Sequence, residues 1–226
     1  MAASDIDSPT LHFTLLNDAG GRFAIRDGQL IVVDRMKLDY EQATSYDIVV
    51  GASDDAGSVV ERTFSIGIKD IVGERVTGTA GPDLIKGDLG KDTLLGGGGN
   101  DSLYGGSGND VLRGDRGRDT FVFDTKPDRS RNSDKVLDFS VRDDSLWLDN
   151  MVFTALGSGS AAKPRKFKVD MFHEGKSAQD KGDRIIYDGK QGILYYDPDG
   201  TGPKAQVKFA SLAKGLKLTY HDFFII

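Results

Sequence analysis

From Gly78 to Val122 the chain repeats itself five times with a period of nine and no slip: GTAGPDLIK, GDLGKDTLL, GGGGNDSLY, GGSGNDVLR and GDRGRDTFV. Glycine holds the first and fourth places of every unit, aspartate the sixth (Asp83, Asp92, Asp101, Asp110, Asp119), and a large apolar residue the eighth (Ile85, Leu94, Leu103, Leu112, Phe121). Glycine is needed where the backbone reaches positive φ or two backbones nearly touch. The last three residues of each unit read as a short strand, in which alternation sends the eighth side chain inward and the seventh and ninth outward. The six residues before it turn the chain around. One apolar side chain per nine residues is a thin core against the entropy of ordering nine backbones, so something other than grease must hold such a segment.

These units resemble the nonapeptide repeat GGxGxDxUx of the repeats-in-toxin (RTX) family, whose members form a calcium-binding parallel β-roll. The resemblance implies that two units complete one coil and that unit n stacks on unit n+2. Calcium, which takes six to eight oxygens, would lie between stacked turns. Carboxylates such as Asp83 over Asp101 would repel one another without it, so metal binding is part of folding. Turn n would supply the carbonyls of its second and fourth residues plus its aspartate, and turn n+2 those of its first and third residues plus its own. Carried over by position, one site takes Thr79, Gly81, Asp83, Gly96, Gly98 and Asp101. A second, on the opposite edge, takes Asp88, Gly90, Asp92, Gly105, Ser107 and Asp110, and a third Gly97, Gly99, Asp101, Gly114, Arg116 and Asp119. The expectation is therefore about three calcium ions. A fourth site, opening with Gly106, Gly108 and Asp110, needs a sixth turn; the next phase, FDTKPD, has lost its glycines, although Asp128 falls in the aspartate place.

Ahead of the repeat, Leu11–Leu15, Gln29–Val32, Tyr46–Val50 and Thr63–Ile68 alternate as half-buried strands separated by turn clusters, the rhythm of a β-sandwich. Gly21–Ile25, Gly28–Leu30, Leu38–Glu41 and Val50–Asp54 resemble the later strands of a cadherin repeat. The resemblance places Asp39 and Glu41 at the calcium-binding LDRE motif and Asp54 at the AxD motif. It covers about two thirds of such a domain, and Lys69-Asp70-Ile71 is all that remains of the closing motif. A sandwich lacking an edge strand leaves backbone open to pairing, which suggests a piece of a longer multi-repeat protein or an edge filled by a neighbour.

After the repeat, Phe121–Phe123, Lys135–Phe139, Ser145–Leu148, Arg184–Tyr187 and Gly192–Tyr196 read as strands that cap the roll with larger side chains. DRIIYD, GILYYDPDGTG and VKFASL resemble the region that follows RTX repeats. Asp197-Pro198-Asp199-Gly200 opens like an EF-hand loop, but Lys208 stands where the bidentate glutamate belongs, and a hairpin turn is the simpler reading. The fold class expected is all-β: a partial cadherin-like sandwich (1–72), a parallel β-roll (73–122) and a β-rich cap (123–226).

The net charge of −6 comes without a basic stripe interleaved with aromatics, which argues against a nucleic-acid partner. No apolar run reaches the roughly 18 to 20 residues of a membrane span. MAASDIDSPT has neither the basic start nor the apolar stretch of a signal peptide. RTX proteins leave by type I secretion on an uncleaved C-terminal signal, and Leu218–Ile226, an acidic residue followed by an apolar run, resembles such a tail while also reading as a closing strand. Calcium sites of this kind suit the extracellular concentration range, so the expected location is outside the cell. From Lys163 to Lys217, basic residues outnumber acidic ones, twelve to seven, which favours an acidic partner such as an anionic polysaccharide.

Catalytic patterns are missing. His12, His173 and His221 are scattered, and His173-Glu174 is not completed to HExxH because Ser177 holds the second histidine's place. There is no cysteine and no GxSxG. Gly90-Lys91-Asp92-Thr93 lacks the earlier glycine of a phosphate loop, and Gly96–Gly99 does not complete GxGxxG. The reading is a secreted, non-enzymatic calcium-binding protein with a structural or adhesive role at the cell surface or in an exopolysaccharide matrix. The alternative is the export and calcium-folding module of a larger secreted enzyme.

Overall fold

A computed structural model of the chain describes residues 11–33, 38, 43–69 and 73–226. The chain divides into two compact units, Met1–Asp70 and Ile71–Ile226.

The first unit is antiparallel. Strands β1 (His12–Asn17), β4 (Ser45–Ser53) and β5 (Val59–Gly67) form one sheet in the order β1-β4-β5, and β2 (Phe23–Arg26) pairs with β3 (Gln29–Val32) as a hairpin. The hairpin turn is Asp27-Gly28, both at positive φ, which matches the twist of the strands it joins. Alternation in β4 turns Ile48 and Val50 inward, where with Phe23 they are packed by Phe13, Leu15, Ile25, Tyr46 and Ile66. Strand β5 begins at Val59 rather than Thr63 and, among the described residues, pairs on one side only; nearly all its residues are exposed. Asp54 closes the β4–β5 loop by accepting the Ser58 N–H at 2.7 Å. Asp39, Glu41 and Asp70 lie outside the described residues.

The second unit is a roll with parallel walls. One wall carries β6 (Arg75–Thr77), β8 (Thr93–Gly98), β10 (Val111–Arg116) and β12 (Asp134–Val136); the other carries β7 (Leu84–Lys86), β9 (Ser102–Tyr104), β11 (Thr120–Phe123) and β13 (Ser145–Leu148). Successive strands thus fall on opposite walls, and each pairs in parallel with the strand one full coil away. The register stacks the eighth-place residues: Val76, Leu94, Leu112 and Val136 on one wall, and Ile85, Leu103, Phe121, Leu146 and Phe223 on the other. Leu94, Leu103, Leu112 and Phe121 are wholly buried.

Both walls run on into the cap. The first continues through β18 (Val207–Ser211), β17 (Ile193–Tyr196), β16 (Ile185–Asp188) and β15 (Phe172–Glu174), and the second through β19 (Phe223–Ile225) and β14 (Arg165–Lys166). The cap closes the roll with rings: Phe123 and Phe153 pack edge-on against Phe209, and Phe167 and Phe172 lie tilted against Phe223. The terminal segment is a core strand, with Phe223 and Ile225 fully buried. Asp197-Pro198-Asp199-Gly200 lies in the loop between β17 and β18, with Gly200 at positive φ.

Candidate metal centre

Each coil places its aspartate at the start of a strand, and the stacking sets these residues over one another in two columns. Within a column every step is alike. Asp101 Oδ1 accepts the Asp83 N–H at 2.9 Å, Asp110 Oδ1 the Asp92 N–H at 2.9 Å, and Asp119 Oδ1 the Asp101 N–H at 2.9 Å. The second carboxylate oxygen faces the other way, toward the following coil. A Cβ built on Gly87 would lie 2.7 Å from Asp92 Oδ2 and 2.8 Å from Gly105 O, so this carboxylate and the first-place carbonyl of the next coil converge on one point. Asp83 with Gly96 O, and Asp101 with Gly114 O, converge in the same way at Gly78 and Gly96. These are aspartate and first-place carbonyl pairs of the three expected sites.

The second- and fourth-place carbonyls aim upward too. A Cβ on Gly97, Gly99, Gly106 or Gly108 would fall onto Thr79 O, Gly81 O, Asp88 O or Gly90 O respectively, so none of these four glycines has room for a side chain. Gly97 and Gly99 take positive φ, as do Asp88 and Gly90. Thr79 O accepts the Gly98 N–H at 3.0 Å and Asp88 O the Ser107 N–H at 2.7 Å; the third-place carbonyls of Ser107 and Arg116 accept the Gly90 and Gly99 N–H groups, both at 2.9 Å. Each gap between coils is therefore lined by oxygens, as a hard cation requires. Among the described residues no group of three acidic or histidine side chains is placed to hold a metal; each step joins two carboxylates, and backbone carbonyls make up the remainder.

The burial of these acids is the physical argument for a cation. Asp92, Asp101, Asp110 and Asp119 are 0 to 2 % exposed. Asp101 Oδ2 and Asp110 Oδ2 are buried with no hydrogen-bond partner, and leaving charge in that state is costly unless it is paired. Burial pushes the carboxyls of Asp101 and Asp119 above the usual range, with neighbouring carboxylates adding to the effect. Bare, the column favours protons, and a divalent cation would neutralise it instead.

The structure corrects the sequence reading at the end of the repeat. Asp128 does not enter the column: it is exposed, and its Oδ1 accepts the N–H groups of Ser130 and Arg131. The columns continue instead through Asp134, which accepts the Asp110 N–H at 3.1 Å, and Asp144, which accepts the Asp119 N–H at 2.9 Å. Ahead of the first unit, Glu74 occupies the same place and donates its N–H to Asp92 Oδ1 at 2.7 Å. Counting in nines passes over Asp134 and Asp144 because loops lengthen the spacing, but both keep the acid–x–apolar signature, as Asp134-Lys135-Val136 and Asp144-Ser145-Leu146.

Two stacked walls with a column of buried aspartates along each edge define a calcium-binding RTX β-roll. Residues 73–103 and 87–121 match the family described as RTX calcium-binding nonapeptide repeat. Among solved structures, the chain is similar to the AlgE6R3 subunit of the mannuronan C5-epimerase from Azotobacter vinelandii, at 24% identity and a TM-score of 0.43 over 69% of this chain and 80% of that one. A comparison with curated proteins returned no match. No helix among the described residues is long and apolar enough to cross a membrane.

Proposed function

We propose that this is a secreted, non-enzymatic protein whose roll assembles when about three calcium ions from the extracellular medium enter the gaps between coils. The observation that carries the reading is the pair of fully buried, unpartnered carboxylate oxygens on Asp101 and Asp110. The carboxylates and carbonyls of the three sites are its ligands. Inside the cell, where calcium is scarce, the repeats stay open and pass the type I apparatus; outside, calcium folds them and disfavours return into the channel. The apolar tail serves in turn as export signal and, once folded, as strand β19. The first unit is read as part of a cadherin-like repeat, and the molecule as structural or adhesive at the cell surface or in an exopolysaccharide matrix, where the basic cap sequence meets an acidic glycan.

A second reading, the export module of a larger secreted enzyme, is favoured by the open edge of β5, where further strands can dock. Calcium titration followed by circular dichroism and calorimetry tests the shared core of both. A cooperative gain of β signal on calcium addition is expected; a roll equally ordered after thorough chelation refutes it. Retention on immobilised acidic glycan, with and without calcium, tests the adhesive role.

A further inference from the structure

At the edge that carries Asp92 and Asp110, the column meets a terminus unlike any gap within the repeats. Asp110 and Asp134 are 1 % and 5 % exposed. Asp110 Oδ2 has no hydrogen-bond partner, and within the repeats this oxygen faces the following coil, which here is that of Asp134. Asp134 stacks directly on Asp110, its Oδ1 accepting the Asp110 N–H at 3.1 Å. Among the described residues neither forms an ion pair, and a further charge acting on Asp134 is another acid, Asp124. Two like charges meeting in a dry interior require a cation or a proton between them.

A loop with polar side chains closes over the Gly106–Gly108 turn that precedes Asp110. The loop that displaces Asp128 brings Thr125 Oγ1 onto Gly106 O at 2.6 Å and Asn132 Oδ1 onto the Gly108 N–H at 2.9 Å, and Asn132 Nδ2 donates to Thr125 Oγ1 at 2.9 Å. The opposite edge ends differently. There Asp138 takes the N–H groups of Gly114 and Asp115, and Arg113 Nε lies 2.8 Å from Asp115 and 3.6 Å from Asp138. That end carries an ion pair with Arg113; among the described residues Asp110 and Asp134 have none.

We propose that Asp110 and Asp134, under the Thr125–Asn132 loop, hold a fourth calcium ion that fastens the last repeat to the cap. The proposal rests on the calcium reading of the roll and adds a site that the nonapeptide period does not contain. Gly106 O is already engaged by Thr125, and the loop side chains replace the glycine carbonyls of a regular closing turn.

The test is a crystal of the full chain grown in calcium, with anomalous scattering locating the ions, together with calcium counts on folded wild type, Asp134→Asn and Asp128→Asn. Expected are a peak between Asp110 and Asp134, one ion fewer in Asp134→Asn, and no change in Asp128→Asn. Peaks in the repeat gaps but none between Asp110 and Asp134, or an unchanged count in Asp134→Asn, overturn the fourth site and leave the roll reading intact. Absence of peaks from every gap overturns both. Should Asp134→Asn fail to fold, the wild-type map decides alone.

Discussion

Asp101→Asn separates a metal-held roll from one held by its interior, because the two predict different signs. Asp101 sits at the junction of two proposed sites, with its Oδ1 on the Asp83 N–H and its Oδ2 buried without a partner. Asparagine keeps an oxygen for the Asp83 N–H and removes the charge. Taking dissociation constants of about 10⁻⁴ to 10⁻³ M, as for extracellular modules, each filled site stabilises the fold by about 1.4 to 2.7 kcal/mol at about 10 mM calcium. Loss of two sites therefore costs about 3 to 5 kcal/mol, or a fall in melting temperature of roughly 6 to 20 °C for a unit of this size. In chelator the sign reverses for whatever order remains: there Asp101 is a buried charge facing Asp119, Asp83 and Asp115, and neutralising it raises the residual β signal and the temperature at which that signal is lost. Thermal melts followed by circular dichroism in calcium and in chelator measure both. A shift of the same sign in the two conditions, or no shift in calcium, refutes the reasoning.

Three further outcomes follow from the same geometry. Leu103→Ala empties a wholly buried place between Ile85 and Phe121 and should cost about 2 to 5 kcal/mol, read by denaturant unfolding in saturating calcium. Gly108→Ala would drive a methyl onto Gly90 O, so calorimetry should show the loss of one calcium ion while the opposite edge still binds. Burial, with the charge of Asp92, pushes Asp110 up to about 6, and burial, with the charge of Asp110, pushes Asp134 up to about 8. A raised carboxyl value means the folded form holds the proton more tightly, so this stability is present below the ordinary value near 4 and is lost as pH rises through about 6 and then about 8. Order that survives chelation should therefore be greater at about pH 5 than at about pH 8, whereas in limiting calcium acid should weaken the fold because protons compete for the same oxygens; circular dichroism across pH in both conditions checks the reversal.

Much of the roll was legible because its period is a statement about geometry. Glycine at the first, second or fourth place is demanded wherever a carbonyl of the neighbouring coil leaves no room, and an eighth-place Leu or Ile is the only inward side chain of its strand. The fourth strand of one wall, β12, lies outside that period and was read from Lys135 as part of the cap. Between Phe123 and Asp134 the chain spends its residues on a loop secured by Asn132 and Thr125, contacts that are long-range, made by ordinary polar residues and invisible to any period. The length of β5 was hidden for another reason: Glu61 and Arg62 interrupt its apolar pattern, and only pairing with Gly51 and Val50 makes them strand. Asp54 was read as a ligand position, and its local bond to Ser58 serves the loop.

Since each unit rests on the one two places away, the two walls take alternate units like the teeth of a zip. Removing nine residues would send every later strand to the opposite wall and present the cap with the wrong partner, while removing eighteen would only shorten the stack by a storey. Length variation in such a molecule should thus come in even numbers of units.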